Sequence, residues 1–182
     1  GLDFWFLGHT HIRIPARDTF AGNAFAFAYC GTPEPDGFDC RHEGSAWVIQ
    51  FQEQGSVEGE AIATGNYLFR DLVGRVSSGE GIEDLARRLA PEGERTLARL
   101  KLEGTLPRED FESRHHWREK LKKQLFYLEW DDTRLQMEIS RDVIADLYPK
   151  GSFPYLLLKR LAEKGERGAL QTAYQLLKEA ED

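Results

Sequence analysis

The chain is 182 residues long, 41% hydrophobic and 30% charged, which suits one domain or two small ones with a real core and excludes a collagen-like or disordered chain. With 24 Lys+Arg against 31 Asp+Glu the net charge is −7, so the molecule as a whole repels polyanions and any nucleic-acid contact must be local. No apolar run approaches the roughly 20 residues of a membrane span, Gly1–Trp5 lacks the basic start of an export signal, and two cysteines, Cys30 and Cys40, fit a reducing cytoplasm while leaving one bond between them open.

Leu2–Leu7 is a nearly continuous apolar run ending at Gly8, the pattern of a strand buried on both faces. A chain that opens inside a core strand reads as the later portion of a longer protein. Its unpaired edge would invite a second chain, which makes a homodimer one expected partner. Ala24–Cys30 and Ser45–Phe51 predict two more strands, separated by the turn-rich Gly31-Thr32-Pro33-Glu34-Pro35-Asp36-Gly37. Gln54-Gly55 predicts a hairpin turn and Glu58–Thr64 a fourth strand, closing an all-β stretch.

From Gly65 the pattern alternates. Strand Tyr67–Val76, helix Ile82–Leu89, strand Thr96–Leu102, helix Pro107–Leu125, strand Phe126–Trp130 and a last strand at Leu135–Ile139 make an α+β unit. Ile82, Leu85, Ala86 and Leu89 fall on one helix face, with Pro91 and Gly93 as its stop. Ala98, Leu100 and Leu102 alternate with Arg99 and Lys101, so that strand buries one face. Asp131-Asp132 predicts a hairpin turn, Gly79-Glu80-Gly81 and Gly165–Gly168 predict simple turns, and Trp5, Trp47, Trp117 and Trp130 are expected in the core. Beyond Ser140 the pattern is helical, broken at Tyr148–Gly151, with Leu170, Ala173, Tyr174 and Leu177 as an apolar stripe. The expected division is 1–64, 65–139 and 140–182.

The residues best suited to chemistry are in Gly8-His9-Thr10-His11. In an extended segment i and i+2 point the same way, so His9 and His11 could offer two imidazoles to one metal site. Taken alone, two histidines after a strand are more often surface or hydrogen-bonded residues than a metal pair. Cys30, Cys40 and His42 with one of the early histidines could form a zinc site, although nine intervening residues between the cysteines are unlike the usual two-to-four-residue knuckle. Cys40 and His42 as nucleophile and base are two residues apart, a poor spacing for mutual aim. Arg114, Arg118 and Lys122 are four apart on a predicted helix and make a basic stripe that suits either phosphate contact or plain solvation.

Phe6-Leu7-Gly8-His9-Thr10-His11 after a hydrophobic strand resembles the last metal-binding motif, Gly-His-x-His, of the metallophosphoesterase superfamily. The succession Tyr29-Cys30-Gly31-Thr32-Pro33, Gly37-Phe38-Asp39 and the strand Ser45–Ile49 looks like the DNA-repair exonucleases of the Mre11/SbcD type, with Cys30 and Thr32 standing where the family has proline and serine. The resemblance implies a fold made of the end of a phosphoesterase β-sandwich over 1–64, a small α/β cap domain and C-terminal helices. It also implies that His9 and His11 each hold one of two divalent metals, Mn above all, in a hydrolase cutting the phosphodiesters of DNA. The partners it implies are DNA, approached by the cap helix with Arg114, Arg118 and Lys122, and a coiled-coil ATPase of the Rad50/SbcC type, approached by the C-terminal helices. The family's other ligand motifs lie upstream of such a segment and none is present here, so the 182 residues by themselves are expected to be inactive. Two alternatives stand beside this: a non-catalytic module binding DNA or the ATPase, and a small nucleotide phosphodiesterase, which would end sooner after the histidine motif.

Overall fold

The structure, a computed structural model, describes residues 4–22, 27–53 and 55–180. It is an α+β protein that divides into two compact units, one of Gly1–Leu72, Arg87–Leu100 and Leu121–Glu129, the other of Val73–Ala86, Lys101–Lys120 and Trp130–Asp182. Among the described residues no helix is long and apolar enough to cross a membrane.

The first unit opens with β1 (Trp5–Leu7), paired in parallel with β3 (Phe27–Tyr29), Trp5 opposite Phe27. Burial on both faces is not what β1 shows: Trp5 is 53% and Phe6 55% exposed, because this two-stranded sheet has no further layer over them among the described residues. Residues 2–3 and 24–26 of the two predicted strands lie outside the described residues. A second, antiparallel sheet has the order β2 (Thr19–Ala21), β5 (Val57–Ala63), β4 (Ser45–Phe51). The β4–β5 hairpin runs in register from Ser45 opposite Ala63 to Phe51 opposite Val57. Its turn is held by Gln52 N–H donating to Ser56 O at 2.8 Å, and Gln54 lies outside the described residues. Strand β2 has no apolar alternation and was not expected. It exists because the Phe20 ring lies over Gly59, its cross-strand partner, where a Cβ would overlap the ring. Phe20 is buried and meets the Trp47 ring edge-on at 5.1 Å.

The third sheet has the order β6 (Leu68–Val76), β7 (Thr96–Leu106), β8 (Tyr127–Met137). Ala98, Leu100 and Leu102 on β7 are buried, as their alternation with Arg99 and Lys101 requires. Helix α1 (Gly79–Leu89) presents its predicted face, with Ile82 and Leu89 buried. Leu85 reaches so close over Gly74 and Leu102 that a Cβ at 74 would overlap it. One turn reading needs correction here: Gly79–Gly81 is the first turn of α1, with Gly79 N–H held by the Asp110 carboxylate at 2.7 Å. The expected stop at Pro91 and Gly93 stands, since α1 ends at Leu89 and a 3₁₀ turn, Ala90–Arg95, carries the chain into β7. Helix α2 (Arg108–Gln124) buries Leu121 and half-buries Trp117.

Asp131 and Asp132 do not make a hairpin turn, and the two strands expected there are the single β8. Asp131 accepts hydrogen bonds from Thr133 N–H (3.1 Å) and Oγ–H (2.6 Å), and Asp132 pairs with Arg114 at 3.3 Å. Both carboxylates are satisfied although the backbone is extended. Trp5 is also a correction to the expected core, whereas Trp47, Trp117 and Trp130 are half-buried.

The tail is three helices: α3 (Arg141–Leu147), α4 (Phe153–Lys164) and α5 (Arg167–Glu179). Ser140 and Ser152 cap the first two through their hydroxyl oxygens, and Gly165, with φ 74°, ends α4. Val143, Ile144, Tyr148, Leu158 and Leu170 are buried together with Ile139, and Ala173, Tyr174 and Leu177 of the predicted stripe pack on this cluster.

Candidate functional site

The first unit carries the histidine motif on the segment leaving β1. Beyond Leu7 the backbone is no longer extended, and His9 adopts φ 78°, the one non-glycine residue with positive φ among those described. The alternation that would aim His9 and His11 in one direction therefore does not apply. A histidine in the left-handed region is uncommon and locally unfavourable. Both imidazoles are exposed. His11 reaches back to the loop after β3, its Nδ1 3.0 Å from Asp36 Oδ2.

That loop is knitted by side chains. Cys40 Sγ–H donates to the other Asp36 oxygen at 2.9 Å, and Cys40 N–H donates to Gly37 O at 3.2 Å. The thiol hydrogen bond, with the nearby His11, holds the Asp36 carboxyl below its ordinary range, and the same carboxylate pushes the Cys40 thiol up. His42 accepts from Gly44 N–H on Nδ1 at 3.2 Å, so its ring proton sits on Nε2 and donates to Thr32 Oγ at 3.3 Å.

The far side of the loop is tied to the β5–β6 connection. Glu34 Oε1 accepts from Asn66 N–H (2.7 Å) and Tyr67 N–H (2.5 Å), bonds that hold its carboxyl below the usual range. Thr64 Oγ–H donates to Pro33 O at 2.6 Å. Between loop and sheet lies a cleft of about 800 Å³ lined by His11, Arg13, Asp18, Thr32, Arg41 and His42 among others. Arg13 is fixed at its rim, bonded to Asp18 at 2.7 Å and lying over the Trp47 ring at 5.1 Å.

Cys30 and Cys40 are free thiols. Neither the zinc alternative nor the Cys40–His42 pair is assembled: Cys40 is engaged by Asp36, His42 by Thr32 and Gly44, and no group of three or more His, Cys, Asp or Glu suited to a metal occurs among the described residues.

On α2 the basic stripe divides. Arg114 is drawn in, its side chain 25% exposed, pairing with Asp132, donating to Phe111 O at 2.8 Å and lying over the Phe111 ring. Arg118 and Lys122 stay exposed. The sequence marks Glu34 and Asp36 only as turn residues: two acids among Pro33, Pro35 and Gly37, more than twenty residues after the histidine pair, are shared by ordinary turns and single out neither. No family model and no curated protein matches the chain.

Proposed function

We propose that these residues form the C-terminal part of a metal-dependent DNA-repair exonuclease of the metallophosphoesterase kind, with 65–139 as its cap domain and His9 and His11 among its metal ligands. The observation that carries the reading is the Gly8–His11 motif leaving β1 with His9 held in a left-handed conformation, since backbone strain in a non-glycine residue persists where geometry at that residue matters. The donor chemistry fits such a centre in part. His9 and His11 are exposed imidazoles, the commonest nitrogen ligands for Mn or Zn, but two donors are fewer than a dinuclear centre needs. The remaining ligands would come from protein upstream, so the 182 residues by themselves have no hydrolytic activity. A bound pair of divalent ions would supply Lewis acidity and a water acidic enough to attack a phosphodiester at neutral pH.

The chain's own residues would do the rest. His11 would offer its lone pair at the cleft and His9 its own from the segment just before it, and Arg13 at the rim is kept in place by Asp18 and Trp47. On α2, Arg118 and Lys122 offer positive charge to DNA phosphates, while Arg114 is held by Asp132. Exposed Trp5, Phe6, Phe27 and Phe51 in the first unit support a further protein layer over these strands. His11→Ala in the full-length protein is expected to bring Mn-dependent cleavage of linear DNA to background, and retained cleavage would sink the assignment.

A non-catalytic role has its own support in the second unit, where Phe153 is 71% exposed and Leu156 and Leu176 are also open, a surface for an ATPase partner. Deleting 152–182 should then abolish co-purification with that partner while residues 65–139 stay folded.

A further inference from the structure

We propose that Asp36 is a positioning residue for His11, fixing which ring nitrogen carries the proton and which presents its lone pair. This rests on the reading of His11 as a metal ligand for its purpose, but not for its geometry. A neutral imidazole has one N–H and one lone pair. A lone pair on Nδ1 would face the Asp36 Oδ2 carboxylate oxygen at 3.0 Å and be repelled by it, so the proton belongs on Nδ1 and the lone pair is left on Nε2. Left to itself an imidazole side chain favours the opposite arrangement, with the proton on Nε2. His42, 3.2 Å from the Gly44 N–H through Nδ1, shows that arrangement in the same loop.

The carboxylate is itself held. Its second oxygen takes the Cys40 thiol proton at 2.9 Å, and Cys40 is placed by its backbone bond to Gly37 O. The chain of contacts Gly37, Cys40, Asp36, His11 therefore transmits the turn geometry of the loop to one ring nitrogen. A ligand histidine whose other nitrogen donates to a carboxylate is oriented and made a better donor, and losing such a partner typically costs about 10–100-fold in metal affinity.

The test is nitrogen–proton NMR of the histidine rings in the metal-free chain, above the pH at which the rings titrate, with the His11 signals identified by their loss in His11→Gln. The expected result is a His11 proton on Nδ1 in the wild type, moving to Nε2 in Asp36→Ala, with His42 on Nε2 in both. A wild-type His11 proton on Nε2 overturns the proposal, and because that spectrum needs no Asp36 variant, a variant that fails to fold does not leave the matter open. Mn binding by the full-length protein, followed by electron paramagnetic resonance, tests the metal reading separately. A 10–100-fold weaker affinity in Asp36→Ala supports both readings. An Nδ1 proton together with Mn affinity unchanged by His11→Ala keeps the positioning contact and overturns the ligand role.

Discussion

In the helical tail, Ile139, Val143, Ile144, Tyr148, Leu158 and Leu170 close into one buried cluster with Ala173, Tyr174 and Leu177 packed on it. In strands β1 to β5 Phe20 is buried and Trp47 half-buried, but Trp5, Phe6, Phe27, Val48, Phe51 and Ile62 are all open to solvent. Apolar residues are abundant in both regions. The difference is one of degree: the tail buries most of its apolar stripe and leaves Phe153, Leu156 and Leu176 open, whereas the strands leave Trp5, Phe6, Phe27 and Phe51 open next to the segment that bears His9 and His11. Stability in this chain is thus expected to reside in the tail and the third sheet, and the candidate site to sit on the less self-sufficient part.

Mutations should sharpen that contrast. Leu158, fully buried at the centre of the tail cluster, should cost about 2–5 kcal/mol as Leu158→Ala in urea denaturation. A loss of much less would mean that the tail core is looser than its burial indicates. Asp110→Ala leaves the Gly79 N–H at the start of α1 without its charged acceptor and should cost about 1–3 kcal/mol. An unchanged midpoint would show that water replaces the carboxylate freely.

Glu34 provides a smaller, pH-dependent effect in the strand region. Its folded-state pKa is lowered, by the Asn66 N–H first and the Tyr67 N–H second. A depressed carboxyl pKa stabilises the fold above the unfolded value, and this contribution is lost as pH falls through the folded value. Glu34→Gln should therefore lower the melting temperature at pH 7, with the gap to wild type closing below the ordinary range of glutamate titration. A gap that persists at low pH would assign the loss to packing. Least of all, Ile62→Thr on the open face of β5 should change stability by less than about 0.5 kcal/mol. A cost of 2 kcal/mol would mean that Ile62 is covered in solution, and the contrast between the two regions would fail.

Periodicity reads well where one face is buried and one is wet. Strand β7 with Ala98, Leu100 and Leu102, and helix α1 with Ile82 and Leu89, follow their apolar repeats closely. Strand β4 occupies its predicted Ser45–Phe51. The reading fails where one side-chain contact outweighs the local pattern. Phe20 over Gly59 makes β2 from a segment without alternation, and Thr133 and Arg114 keep Asp131 and Asp132 in a strand although both are turn formers. Trp5 looked like core because tryptophan usually is, and burial depends on a covering layer that no residue type can specify.

The site was legible only in its motif. His9 and His11 could be picked out from Gly8-His9-Thr10-His11, but not the left-handed turn at His9, nor the Asp36 contact that depends on how a loop more than twenty residues away folds back. Spacing put Arg114 with Arg118 and Lys122, and the nearby Asp132 takes it away from that stripe.

The central claim, that His9 and His11 are metal ligands, is tested most directly by titrating Mn into the full-length protein and into its His9→Ala, His11→Ala double variant, with bound ion read by electron paramagnetic resonance and folding checked by circular dichroism. The expected result is Mn binding and DNA cleavage by the wild type, both lost in a double variant of unchanged secondary structure. Equal Mn binding by both chains would contradict the claim.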